Sequence, residues 1–438
     1  MGVDCFIGVR RAWDSSDGSL TLCETWIRRN SRFDSVSSGD LLSNATAGSD
    51  LFRKRLWSQR ITIRRRYVKR ESGKCQHLLR WILRWTRCTQ KLCRGVLLLL
   101  RSETNLDYGS SSHLAMSNIP VTLAAIQRAR ARISGIAYKT PLYFSPRLSD
   151  LTGAQVYLKL ESFQPIRVFK IRGASNKILN LSFAERRRGF VTASSGNHGL
   201  AVSYVAKRLA TTATIVVPIT AVEEKVRAIE EYGAKVEKYG RFHDERMSRA
   251  IEIQRTTGAV FVHPFDDPDI IAGQGTIGLE IIEDLPDVNT VFVPIGGGGL
   301  ISGISIAIKS LRPTAKVIGV EPERASSMYQ SIKTGKPTRL TDTTSIADGL
   351  ATREPGTYTF EIARKNVDDI LLVNEAQIER AVFTAMKDCH IVVEPSAGAV
   401  FAALTDVYHP KGGEKIVLVV SGGNISLRVL GTILSKFS

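Results

Sequence analysis

Val291-Phe-Val-Pro-Ile-Gly-Gly-Gly-Gly-Leu-Ile-Ser-Gly-Ile-Ser305 runs from a short apolar segment, through four glycines, into a second apolar segment with helical spacing. The first part reads as a buried strand and the last as a helix, which puts Gly296, Gly297, Gly298 and Gly299 in a strand-to-helix turn. Consecutive glycines cost backbone entropy, so such a run argues for positive φ or for a ligand pressed against the main chain. Backbone N–H groups at the start of a helix, here up to Leu300, suit a dianionic phosphate without a side-chain cation. No lysine follows as in a nucleotide P-loop, and the spacing is not GxGxxG, so a phosphate-bearing cofactor is favoured over a nucleotide.

The same alternation extends on both sides. Apolar runs predict strands near Val156–Leu160, Phe190–Ala193, Thr214–Pro218, Val236–Tyr239, Val260–His263, Val317–Val320, Ile370–Val373 and Ile416–Val420. Helical spacing covers Val121–Ile133, Phe169–Leu181, Leu200–Leu209, Val222–Tyr232, Asp244–Thr256, Ala272–Asp284, Leu300–Leu311 and Glu375–Cys389. This is the pattern of a doubly wound α/β protein, which holds ligands in loops at the carboxyl ends of its strands. Three polar or glycine-rich motifs follow strands in this reading and should converge.

The second of these motifs is Ser194-Ser195-Gly196-Asn197-His198-Gly199, ahead of a helix. It offers hydroxyls, an amide and backbone donors where a substrate carboxylate would also meet the helix dipole. His198 has no carboxylate partner in sequence and reads as an orienting residue. The third is Ser421-Gly-Gly-Asn424. Upstream lies Lys170, in Glu161-Ser-Phe-Gln-Pro-Ile-Arg-Val-Phe-Lys-Ile-Arg-Gly-Ala174, between Phe169 and Ile171 near a helix start. Partial burial there would lower its pKa and favour imine chemistry. Together these parts make a pyridoxal phosphate site. A serine facing the pyridine nitrogen can hydrogen-bond it but cannot keep it protonated, which favours elimination over transamination.

Composition divides the chain near Met116. Residues 1–115 hold 21 Lys+Arg against 10 Asp+Glu, net +11, leaving 39 against 32, net +7, for residues 116–438. All five Trp and five of the six Cys also precede Met116. The segment 1–115 is a basic extension without a sustained helix or strand period, and we expect it to be disordered or not natively translated, with translation starting at Met116. Its seven acidic residues in the first fifty argue against a transit peptide, and Val96–Leu100 is far short of the roughly 20 apolar residues of a membrane span. The arginine runs leave a nucleic-acid or non-catalytic cofactor-binding role as a remote alternative, but the mildly basic remainder favours an enzyme with neither nucleic-acid nor membrane partners. The cysteines lack metal-ligand spacing, and a reducing cytoplasmic setting is expected.

On these motifs, residues from about 120 to 438 resemble the serine/threonine dehydratase family of fold type II pyridoxal phosphate enzymes, which is related to serine racemase and threo-3-hydroxyaspartate ammonia-lyase. The resemblance implies a tryptophan-synthase-β-like fold, with the cofactor in the cleft between two doubly wound α/β domains. The large domain would take about 116–190 and 259–438, and the small domain about 191–258. It implies that Lys170 joins the cofactor covalently, Phe169 packs by its ring, Asn197 bonds its phenolic oxygen, Gly296 to Leu300 hold phosphate and Ser421 meets the pyridine nitrogen. Gly349 and Glu394, in Glu394-Pro-Ser-Ala-Gly398, match further cofactor-pocket positions. The implied reaction converts L-threonine, and L-serine, to a 2-oxo acid and ammonia, as in isoleucine biosynthesis. A homodimer or homotetramer is implied.

Ser195 matches the opposite-face acid/base position of racemases in the family. Arg246 falls where hydroxyaspartate-type members place an arginine near a distal carboxylate, whereas Val262-His-Pro-Phe-Asp-Asp-Pro268 resembles threonine-cleaving members. Threo-3-hydroxyaspartate dehydratase and serine racemase therefore stand as alternatives. Two departures matter. Arg167-Val168 replaces the usual Gly-Ser before Phe-Lys, and at the family's metal position Glu321 and Ala325 match while Ser327 replaces a carboxylate, so a weakly held cation is implied.

Overall fold

The computed structural model describes strand residues 7–10, 24–29 and 32–36, and then residues 121–437 except Ser195, Val222 and Phe242. The chain divides into two units, Met1–Ser111 and Ser112–Ser438. In the first, strands β1 (Ile7–Arg10), β2 (Glu24–Arg29) and β3 (Arg32–Val36) form an antiparallel sheet in the order β1-β2-β3.

The second unit contains two sheets. The larger has six strands: β4 (Leu142–Phe144), β5 (Gln155–Leu160), β10 (Thr290–Pro294), β11 (Lys316–Pro322), β12 (Asp369–Val373) and β13 (Lys415–Val420), ordered β12-β11-β10-β13-β5-β4. All its pairings are parallel except β4 with β5, an antiparallel edge that three residues of sequence do not announce. The smaller sheet is wholly parallel, in the order β8-β7-β6-β9, from β6 (Phe190–Ala193), β7 (Ala213–Val217), β8 (Lys235–Lys238) and β9 (Val260–Phe261). Because β9 pairs with β6, this sheet reaches past residue 258, where the sequence reading closes the small domain.

Both faces of the larger sheet are covered, which is why its central strands β10 and β13 are apolar beyond their first residues, Thr290 and Lys415. Along β10 and β13 the pleat sends Phe292, Ile416 and Leu418 into the core beneath helices Glu375–Cys389 and Pro395–Ala402. Val291, Val293, Val417 and Val419 pack on the opposite face against helices Pro268–Asp284 and Gly299–Leu311. Each fully buried Val, Leu or Ile contributes roughly 1.5–3 kcal/mol. In the smaller sheet Ile215 and Val217 pack against helix Asn197–Arg208, and Val191, Ala193 and Val216 against helix His243–Thr257.

Beneath the strand β5 and the helix Lys170–Asn180 lies a buried ionic cluster. Arg172, 1% exposed, donates from Nε and Nη2 to Glu161 at 2.7 and 2.8 Å, and from Nη1 and Nη2 to Glu280 at 2.6 and 2.8 Å. Nη1 also reaches Thr276 Oγ1 and Nη2, sharing a hydrogen, the Tyr138 carbonyl, both at 3.0 Å. Lys159 completes the set with Glu280 at 2.6 Å and the Thr140 carbonyl at 2.6 Å. Burial pushes the Glu161 carboxyl up, but the neighbouring Arg172 outweighs it and holds the group below the usual range. Two cations and two anions therefore tie β5, the 138–140 segment and two helices together without net charge.

Candidate active site

Lys170 opens its helix immediately after a segment that is stitched to the loop beyond β13. The Phe169 N–H donates to the Ser421 carbonyl at 3.0 Å, the Gly423 N–H donates to the Arg167 carbonyl at 2.9 Å, and Val168 bridges Gly422 between them. Val168, which stands where the family has serine, is wholly buried and supports this bridge through packing. Arg167 takes the left-handed conformation, φ 59°. An L side chain there strains the backbone by roughly 1 kcal/mol or more. Arg167→Gly should therefore raise the unfolding free energy by roughly 1 kcal/mol, read from urea denaturation; a loss would show that the arginine side chain makes contacts worth more than the strain.

The loops converge as their strand positions require. One cavity is lined by Phe169, Lys170, Asn197, Gly296, Gly297, Gly298, Gly299, Leu300, Gly349, Glu394 and Ser421, every cofactor-site residue the sequence reading names. The lining also includes Phe265, Pro294, Leu350 and Ser396, which that reading does not name. Ser396 lies within the quoted Glu394-Pro-Ser-Ala-Gly398 motif, which was a usable signal. Phe265 lies within the quoted Val262–Pro268 stretch, but its place against the glycine run is set by what it meets.

Lys170 Nζ donates to the Pro264 carbonyl at 2.7 Å and lies 5.2 Å from the centre of the Phe169 ring. Burial lowers its pKa to about 8, against an opposing pull from the Glu394 charge. Neutral amine therefore accumulates as pH rises through about 8 instead of above 10. Covalent capture of added pyridoxal phosphate by the apoprotein, followed by absorbance, should accelerate across that range and then level off; a rate still climbing at pH about 10 would contradict the shift.

The glycine run is shaped by its neighbours. Gly298, at φ 89°, is the N-cap of helix Gly299–Leu311, and a Cβ on Gly297 would stand 2.3 Å from the Phe265 ring. The 262–268 stretch supplies much of this scaffold. His263 Nδ1 accepts from the N–H groups of Phe265 and Asp266, at 3.2 and 2.8 Å. Asp266 accepts the first three N–H groups of helix Thr357–Asn366, and Thr359 in turn donates to the Gly297 carbonyl at 2.7 Å.

Asn197 begins its helix, three residues earlier than the apolar spacing suggests, with Gly196 as N-cap. Ser194 follows β6 and its Oγ accepts the Gly196 N–H at 3.4 Å, while Ser195 lies outside the described residues. His198 is 3% exposed, and its Nε2 bonds the Val262 carbonyl at 3.0 Å. Burial first, and the nearby Lys170 charge next, lower its pKa to about 3, so it is neutral and orients the helix. Arg246 is partly buried, donates to the Arg241 carbonyl at 3.1 Å and does not line the cavity.

The metal-position residues lie away from this cavity. Glu321 accepts the N–H groups of Met328 and Tyr329 at 2.9 and 2.8 Å, and burial raises its carboxyl to about 8. Ala325 and Ser327 are buried, and Ser327 Oγ has no partner. Among the described residues no three His, Cys, Asp or Glu side chains gather as a metal would need. Among the same residues no helix is long and apolar enough to cross a membrane.

A desolvated lysine facing a glycine-cradled helix start across a cavity in an α/β fold defines an enzyme site for a phosphate-bearing aldehyde. The comparisons with known proteins agree: residues 133–422 match the family model described as pyridoxal-phosphate dependent enzyme, and the chain belongs to that family. It is 45% identical over 316 residues, 72% of this chain and 79% of the relative, to an L-threonine ammonia-lyase of Thermotoga maritima. It is 38% identical over 314 residues, 72% of this chain and 96% of the relative, to an L-threo-3-hydroxyaspartate ammonia-lyase of Saccharomyces cerevisiae. A solved structure of maize serine racemase superposes with a TM-score of 0.69 at 36% identity, covering 72% of this chain and 97% of that one. The residues fit the cofactor the family implies: the glycines 296–299 at a helix start and the desolvated amine of Lys170 line the same cavity.

Proposed function

We propose that this chain is a threonine dehydratase, converting L-threonine, and L-serine with it, to a 2-oxo acid and ammonia by α,β-elimination of water. The reading is carried by the desolvated amine of Lys170 sharing one cavity with the Gly296–Gly299 cradle. When bound, pyridoxal phosphate supplies an electron-poor ring that draws density from the substrate's α-carbon. The backbone N–H groups from Gly296 to Leu300 hold the phosphate at the helix start. Lys170 Nζ takes the proton from the α-carbon. Ser421 offers the ring nitrogen a hydrogen bond without a full proton, which favours elimination. Ser194, Gly196 and Asn197, at the start of a helix, bind the substrate carboxylate, and Ser195 belongs to the same loop. His198, neutral and bonded to Val262, holds that loop and moves no proton.

The cavity draws Asn197 from the loop after β6 and Ser421 from the loop after β13, which supports a cofactor between a small domain near 191–258 and a large domain in the rest of 116–438. A weakly held cation at Glu321, Ala325 and Ser327 belongs to the same reading, supported by the unpartnered Ser327 hydroxyl. Exposed Tyr143 and Phe144 on the edge strand β4 support assembly into a homodimer or homotetramer.

Hydroxyaspartate is the second substrate considered, on the yeast relative and Arg246. Arg246 lies off the cavity lining, which favours threonine. The test compares release of 2-oxo acid from L-threonine, L-serine and threo-3-hydroxyaspartate by cofactor-loaded protein. Formation of 2-oxobutanoate from threonine supports the proposal. A marked preference for hydroxyaspartate, lost in Arg246→Ala, overturns the substrate assignment.

A further inference from the structure

The cavity holds a second ionisable side chain. Glu394 is 6% exposed, and both its carboxyl oxygens accept from Asn197 Nδ2 at 2.9 Å. Asn197 Oδ1 accepts from Asn424 Nδ2 at 2.9 Å, and the same nitrogen donates to the Ile166 carbonyl at 3.0 Å. These bonds fix which way the Asn197 amide faces, because the flipped form would set its carbonyl against the carboxyl oxygens. One N–H of Asn197 is thus spent on Glu394, and the second remains for the cofactor's ring oxygen. Gly422 makes room for the carboxyl, since a Cβ there would stand 2.6 Å from Glu394 Oε1.

An anionic ring oxygen held by that second N–H would lie one amide nitrogen away from Glu394. Two negative charges this close, out of water, cannot both persist. The ionisable groups that face the carboxyl are Lys170 from its helix and, more weakly, Asp348 and Lys225, which pair with each other. Lys170 is the cation on the cavity wall, and covalent union with the cofactor consumes its amine. Resting on the cofactor assignment above, we propose that Glu394 is a positioning residue, acting through Asn197, that holds a proton in the cofactor-loaded protein. Burial already raises its carboxyl to about 7, against the opposing hydrogen bond from Asn197.

Raising the pH should ionise Glu394, set a charge against the ring oxygen and loosen the grip of Asn197. The test follows the absorbance of loaded wild type and Glu394→Gln from about pH 6 to about pH 9, with cofactor dissociation constants from equilibrium dialysis at both ends. The expected result is a spectral transition in wild type that the variant lacks, and a wild-type-to-variant ratio of dissociation constants that rises about tenfold across the range, the equivalent of one pK unit of coupling. The same transition in both proteins, or none in wild type, would overturn the proposal; a merely structural role for Glu394 would leave the ratio flat. Borohydride fixation of the cofactor to Lys170 in wild type separates the layers. If fixation fails, the cofactor assignment falls and this inference with it; if fixation succeeds while the ratio stays flat, this inference alone falls. Should Glu394→Gln fail to fold, infrared difference spectra of wild type on loading decide: a new protonated-carboxyl band supports the proposal and its absence overturns it.

Discussion

Lys170→Ala will lower release of 2-oxobutanoate from L-threonine by at least about three orders of magnitude, and borohydride will no longer fix the cofactor to the chain. Lys170 is the one lysine on the wall of the cavity, so among the described residues no second amine stands in reach to replace it. Lys170→Arg should fail as completely. A guanidinium keeps the charge but not a deprotonated nitrogen, and its planar fork does not reproduce the single bond to the Pro264 carbonyl. Folding is not at stake in Lys170→Ala, because removing a desolvated amine relieves a burial cost; thermal melts of its apoprotein should match or exceed wild type. Retention of a tenth of the activity by Lys170→Ala would remove the basis of the proposed function.

Arg172→Ala will destabilise the protein by roughly 3–5 kcal/mol, the range measured for breaking one partner out of a buried ionic set. The wild-type cluster is neutral, with Arg172 and Lys159 against Glu161 and Glu280. Without the guanidinium, Glu161 keeps only Thr140 Oγ1 at 2.6 Å and the Gln164 amide at 3.2 Å, and one carboxylate is left buried without a counter-charge. Arg172→Lys should recover little, since a point ammonium cannot serve two carboxylates bidentately. Adding Glu161→Gln to Arg172→Ala removes the orphaned charge and should restore about 1–3 kcal/mol. Urea denaturation of the four proteins provides the check, and a loss below about 1 kcal/mol for Arg172→Ala would mean that water enters the cluster.

Much of this arrangement was open to reading because strand and helix leave local signatures. The run Val291–Gly299 contains its strand, its turn and its helix start, and β13 with Ser421 repeats the device. Helix Glu375–Cys389 matches residue for residue, helped by a capping box from Asn374 and Gln377. What escaped was set by distant contacts. Phe265 matters because Gly297 lies against its ring, and Pro264 because its carbonyl meets Lys170 Nζ. Both lie in the quoted Val262–Pro268 stretch, but nothing in its residues announces these contacts. Arg172 and Lys159 look like ordinary surface cations until Glu280, more than a hundred residues away, is brought beside them. Helices such as Pro395–Ala402, buried all round, lack the one-sided spacing that marks an amphipathic helix.

The position of β13 bears on how the molecule comes into being. It sits between β10 and β5 in the middle of the larger sheet, although it comes last in sequence among the described strands. Until it inserts, β10 and β5 each present an open edge of unpaired peptide groups, a template for adhesion between chains. A ribosome that stops short of residue 415 would thus release a product with two sticky borders, prone to aggregate. Synthesis must pass residue 420 before the sheet can close.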